Sequence, residues 1–180
     1  MPIDESRAAQ AIRLLLESFD IDADAPELQD TPARVAAFWQ ERLAGYDADL
    51  DRELRALPGD LAPVPVILER IPFISTCEHH LATFEGYATV GYLPSEGCIV
   101  GLSKLARLVQ AFAARLQVQE RMTQQIFDAL RDYLQPQGWG VKLTAEHTCM
   151  SHRGVKAHGV PVSTMLLGGT WSQDPPSLFR

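Results

Sequence analysis

The sequence predicts an α+β fold, an antiparallel sheet with two long helices on one face and further helices at the N-terminus. Apolar residues recur at helical spacing twice in mid-chain, at Leu105, Leu108, Val109, Phe112 and Leu116, then at Met122, Ile126, Leu130 and Leu134. β-Branched and aromatic residues gather in Thr83–Leu93, and Trp139, Val141, Leu143 and Ala145 alternate as in a strand. The resulting order is helix, helix, strand, strand, helix, helix, strand, strand, with no internal repeat.

Each element has a local reason. Ile12, Leu15, Leu16 and Phe19 give an amphipathic helix from about Glu5 to Phe19. The acidic run Asp20 to Asp30 reads as a loop. Asp30-Thr31-Pro32 reads as a helix start with a capping side chain ahead of proline, and the helix carries Val35, Phe38 and Trp39 inward before ending near Gly45. Asp47 to Pro63, acidic and proline-bearing, is expected to be a linker or loop. Val64 to Ile74 reads as extended, with Pro65 and Pro72 pointing to an edge strand or a broken one. The strand over Thr83–Leu93 stops at Pro94, and Ser95-Glu96-Gly97 is a turn. Ser103 is a candidate N-cap for the first long helix. Gln117 to Glu120 joins the two long helices, and Pro136-Gln137-Gly138 ends the second. Val162 to Leu167 is the last strand. With helices on one face of the sheet, the other face needs cover, so a homo-oligomer is expected.

At 180 residues, 46% hydrophobic and 22% charged, the chain suits a globular domain with a real core. No stretch approaches the ~18 apolar residues of a membrane helix, and Met1 to Ser6 lacks a basic start followed by an apolar run. A soluble, cytoplasmic protein without a membrane partner is expected. The net charge of −7 argues against nucleic-acid binding. An anionic ligand would therefore need a local basic cluster, for which Lys104, Arg107, Arg115, Arg121, Arg153 and Lys156 are candidates. Taken singly, each also suits a solvated surface position.

Chemistry concentrates in two short stretches. Ser75-Thr76-Cys77-Glu78-His79-His80 places Cys77 and His80 three residues apart, so on one helical or tight-turn face both can converge on a single ion. Glu146-His147-Thr148-Cys149-Met150-Ser151-His152-Arg153 follows about seventy residues later. If that stretch is strand-like, His147 and Cys149 face the same side, and Cys149 can complete the site while His147 looks into the same pocket. A lone C-x-x-H equally fits a buried cysteine beside ordinary histidines. The grouping of four of the five histidines and two of the three cysteines in these stretches favours a shared metal such as zinc. Cys98, the odd cysteine, reads as a buried apolar thiol, and no disulfides are expected.

Four ordered blocks resemble GTP cyclohydrolase I. They are Ser75 to His80, Gly101-Leu102-Ser103-Lys104-Leu105-Ala106-Arg107, Arg115-Leu116-Gln117-Val118-Gln119-Glu120-Arg121, and Glu146 to Gly154. The resemblance runs from Thr31-Pro32-Ala33-Arg34 to Gly168-Gly169. It implies the tunnelling fold, with an N-terminal helical region over 1–63 and a catalytic domain over 64–180, in a toroidal homodecamer with sites at subunit interfaces. It also implies that GTP and water give 7,8-dihydroneopterin triphosphate and formate, at the start of folate and pterin biosynthesis.

On the family pattern Cys77, His80 and Cys149 bind zinc, the same three residues that the spacing brings together. Adding water at C8 of guanine suits a three-ligand zinc that keeps a position for water and lowers its pKa. His79 and His147 are the candidates for acid-base work, although a histidine satisfied by backbone is the alternative for each. Ser103 matches a family residue near the ribose and joins them in the catalytic set. Glu120, with Gln119 beside it, is expected to bind substrate, its carboxylate accepting from guanine N1–H and the 2-amino group. Read without the family, the pair suits a helix cap with a solvated carboxylate. Lys104, Arg107 and Arg153 match triphosphate contacts, and Arg34 fits one reaching in from a neighbouring subunit. The chain departs from the commoner pattern at Leu81-Ala82-Thr83-Phe84 and at Lys156 to Pro161. A tunnelling-fold paralogue acting on another purine or pterin, or a zinc-stabilised nucleotide-binding module without turnover, would share these features.

Overall fold

The computed structural model describes residues 3–55, 57–58, 63–95 and 98–180. Its helices are α1 (Glu5–Glu17), α2 (Thr31–Arg42), the single turn α3 (Leu50–Glu53), α4 (Leu102–Ala113), α5 (Gln119–Leu134) and the single turn α6 (Thr148–Ser151). Its strands are β1 (Leu57–Pro58), β2 (Val66–Cys77), β3 (Thr83–Leu93), β4 (Cys98–Ile99), β5 (Leu116–Gln117), β6 (Gly138–His147) and β7 (Val162–Gly169). The main sheet runs β5-β2-β3-β6-β7, antiparallel except where β5 lies parallel to the end of β2. This is the expected α+β arrangement.

The core forms where the apolar stripes of α4 and α5 meet one face of the sheet. Leu105, Leu108, Val109 and Phe112 from α4, with Met122, Ile126 and Leu130 from α5, cover Phe73, Phe84, Val90, Val141 and Leu143. Cys77 belongs to this core and Cys149 packs against it, so the metal-type residues sit where the sheet layer ends. On the other face Ile74, Tyr87 and Met165 are each about half exposed. No helix among the described residues is long and apolar enough to cross a membrane.

Several local expectations are corrected. Asp30 occupies the N-cap of α2 without a side-chain cap bond, because its carboxylate pairs with Arg34 at 3.0 Å instead. Gly101, not Ser103, is the N-cap of α4, and Ser103 sits inside the first turn. Leu116 leaves the α4 stripe because the helix ends at Ala113 and Leu116 pairs with Thr76 in β5. The expected linker after Asp47 contains α3 and then Leu54, which is 1% exposed in the core. By contrast, the edge-strand expectation for β2 holds: β5 pairs with it only at Thr76 and Cys77, its register shifts between Leu68 and Ile71, and Pro65 lies just before it. Part of the 47–63 linker, the Glu96-Gly97 portion of the turn and the Cys98 side chain lie outside the described residues.

Leu143 is fully buried at the centre of the helix-covered face. Leu143→Ala is expected to cost about 2–5 kcal/mol in denaturant unfolding, from lost burial plus the cavity left behind. A cost below about 1 kcal/mol would mean that the helices do not pack there.

Candidate functional site

Cys77 is the last residue of β2, and its backbone N–H donates to Ala82 O at 2.8 Å, closing a tight turn that presents Glu78, His79 and His80. Glu78 N–H donates to Gln117 O at 3.0 Å, which ties the turn to β5. Arg121 forks onto the Glu78 carboxylate, Nη1 to Oε1 at 3.3 Å and Nη2 to Oε2. That guanidinium holds the Glu78 carboxyl below the usual carboxylate range. The two partners lie 43 residues apart, and nothing in the local sequence signals their pairing.

The second stretch differs from a continuous strand. His147 ends β6, and Cys149 is the second residue of α6. The reason is the partner strand: Phe84 pairs with His147, and β3 begins only one residue before Phe84, so the ladder runs out and the chain coils. Thr148 Oγ1 donates to Thr83 O at 2.6 Å and pins the coil there.

These two turns bring Cys77, His80 and Cys149 together with ligand atoms all within 4.8 Å of one another, close enough to share one metal ion. Burial pushes the Cys149 thiol up, and the neighbouring Cys77 adds to the effect. Two thiols held side by side in a partly buried setting are a poor place for uncompensated thiolates and a good one for a soft cation. The donor set therefore fits a metal. Arg153 Nη1 donates to His80 Nε2 at 3.0 Å, placing a guanidinium at the rim.

An open cavity of about 240 Å³ is lined by Cys77, His79, His80, Gln119, Glu120, His147 and Cys149, with Val118, Met150 and Val162. His79 is mostly exposed. His147 is half-buried, and burial lowers its pKa against the opposing pull of Glu120. Its ring stacks on Phe84 with centroids 4.6 Å apart and planes within 2°. Phe84 was readable only as a strand residue; the register that sets it opposite His147 is a tertiary fact. Glu120 is exposed in the first turn of α5, whereas Gln119 is buried and hydrogen-bonded to protein groups.

The remaining candidates lie elsewhere in the chain. Ser103, Lys104, Arg107 and Arg34 do not line this cavity. Lys104 Nζ donates to Arg52 O at 3.0 Å, and Arg107 lies 3.6 Å from Glu53, both near α3. The opposite end of α4 leads into β5, beside Cys77. At 1.5 Å per residue, Lys104 is about 14 Å from Ala113 along that helix. Of the other basic candidates, Arg115 donates to Gly45 O at 2.9 Å and Arg121 holds Glu78.

The sequence pattern of GTP cyclohydrolase I matches residues 8–178. The chain belongs to the GTP cyclohydrolase I family. Among its relatives, the GTP cyclohydrolase 1 of Mycolicibacterium vanbaalenii is 45% identical over 175 residues, spanning 97% of this chain and 87% of that one. That of Streptococcus mutans is 42% identical over 171 residues, spanning 95% and 89%. That of Halalkalibacterium halodurans is 42% identical over 172 residues, spanning 96% and 92%. The curled sheet with helices on one face is thus the tunnelling fold of this family.

Proposed function

We propose that this protein is a zinc-dependent GTP cyclohydrolase, converting GTP and water to 7,8-dihydroneopterin triphosphate and formate in the first step of folate or pterin biosynthesis. The observation that carries the reading is one cavity holding a two-thiol, one-imidazole metal group, two further imidazoles and an exposed carboxylate. Family membership over nearly the whole chain supports it.

Cys77, His80 and Cys149 would hold the zinc, which as a Lewis acid lowers the pKa of water enough to supply a nucleophile at neutral pH. The protein side groups do the rest. Glu120 accepts paired hydrogen bonds from guanine N1–H and the 2-amino group, a pattern adenine lacks. His147, whose burial favours the neutral ring, can take a proton as the attacking water adds to C8, and exposed His79 can deliver one to the imidazole nitrogen as the ring opens. Arg153 lies 3.0 Å from His80 at the rim, and in our reading its guanidinium turns to the phosphates when His80 holds the metal.

In our reading Ser103, Lys104, Arg107 and Arg34 serve the cavity of a second copy. Their distance from the cavity within one chain supports an oligomer whose sites lie between subunits, a homodecamer in our reading, with Ser103 near the ribose and the basic residues on the triphosphate. The catalytic domain spans 64–180, behind an N-terminal helical region over 1–63, and the enzyme works in the cytoplasm.

Incubating purified protein with GTP is expected to release formate and give a fluorescent product after oxidation; binding without formate would favour a non-catalytic module. His79→Ala is expected to keep its zinc and lose at least about 100-fold in turnover, and Cys149→Ala to lose both. Equal zinc loss in the two would contradict the division of roles. Co-expressing Lys104→Ala with Cys149→Ala, each impaired alone, is expected to restore part of the activity, because some interfaces then combine an intact metal cavity with an intact Lys104. No recovery in mixed oligomers would place the whole site in one chain.

A further inference from the structure

We infer that Gln119 is a positioning residue that fixes the tautomer of His147, leaving Nδ1 as the nitrogen with a free lone pair. The inference rests on the reading of His147 as the proton acceptor and adds the group that prepares it. Gln119 opens α5, and its side chain is buried against β6 and β7. Its Nε2 lies 3.0 Å from Val162 O, 3.2 Å from Thr164 Oγ1 and 3.3 Å from Leu143 O.

The two carbonyl oxygens can only accept, so the amide NH2 must face them, and the amide oxygen must face the other way. That oxygen lies 2.8 Å from His147 Nε2. An amide oxygen also only accepts, so His147 Nε2 carries the hydrogen. A neutral imidazole has one N–H, which leaves Nδ1 bare.

Neighbouring hydroxyls agree with this assignment. Thr123 Oγ1 donates to Gln119 O at 2.9 Å and lies 2.6 Å from Thr164 Oγ1. Thr164 is therefore the donor in that pair and is free to accept from Gln119 Nε2. Flipping the amide would set its oxygen against two carbonyl oxygens in a buried place. Phe84 fixes the plane of the imidazole by stacking, and Gln119 fixes which edge of the ring holds the hydrogen. Both Gln119 and Glu120 line the cavity, but adjacent residues on a helix point about 100° apart, and the Gln119 amide is the one bonded to His147 while Glu120 is exposed. Gln119 thus acts through His147 and not on guanine.

The test is solid-state NMR of the zinc-loaded oligomer labelled with 15N-histidine, the His147 signals being assigned by their loss in His147→Gln. The wild type is expected to show protonated Nε2 and bare Nδ1 at neutral pH. Gln119→Met, similar in volume but without an acceptor, is expected to give mixed tautomers. Its kcat should fall about 10- to 100-fold while KM for GTP moves less than about threefold, the size of effect typical of groups that orient a site histidine. A proton on Nδ1 in the wild type would overturn the inference without any variant, as would a Gln119→Met protein with unchanged spectrum and kcat. If the wild type turns over GTP with its His147 proton on Nδ1, this inference alone fails. If it shows the expected tautomer but no turnover, the hydrogen-bond assignment stands and the proposed reaction fails.

Discussion

The site depends on bringing two thiols from opposite sides of one strand to the same point. β2 and β6 flank β3, and with neighbouring strands ~4.8 Å apart they are separated by roughly 10 Å. Side chains at the strand ends cannot bridge that gap unless the chain bends inward from both sides. Two devices do this where β3 begins. The Cys77–Ala82 hydrogen bond folds the first turn, and the Thr148–Thr83 hydrogen bond holds the coil of α6. The register of the sheet is therefore a condition for the metal group, since a one-residue slip would turn every side chain of a strand to the other face.

The same register organises the rest of the cavity. Pairing of Phe84 with His147 stacks the two rings, and pairing of Ala145 with Val162 brings β7 close enough for the Gln119 amide to bond Val162 O. The cavity is thus walled on one side by sheet residues with little freedom and on the other by the first turn of α5. Charge is arranged differently. The protein is acidic overall, and Arg34 holds an exposed, weak ion pair of the kind worth about 0–1 kcal/mol, whereas Arg107 lies 3.6 Å from a Glu53 oxygen that is buried. Arg121 and Arg115 are held in place by Glu78 and Gly45.

Much of this was legible in the sequence, and the reasons divide cleanly. The long helices and strands announce themselves by periodicity because each buries one face against one layer. Cys77 and His80 are readable because a tight turn is local, and Cys149 because thiols and imidazoles are scarce enough for a second cluster to stand out. His147 ends the strand that its alternation predicts, whereas Cys149 lies beyond it in a helical turn, since the point where a strand loses its partner is set by β3 and not by residues 146–151. Gln119 lines the cavity beside Glu120, but the bonds of its side chain to the sheet are not legible in the sequence. Its inward turn is decided by Leu143, Val162 and Thr164, tens of residues away. Likewise α3 and Leu54 lay hidden in an acidic, proline-bearing run whose burial comes from α4 and the rest of the core.

X-ray absorption spectroscopy at the zinc edge of the metal-loaded protein tests the central claim most directly. The account predicts two sulfur neighbours at about 2.3 Å and one imidazole nitrogen at about 2.0–2.1 Å from the protein, with the remaining scattering from light atoms. A first shell with fewer than two sulfurs, or one with no imidazole, would contradict it.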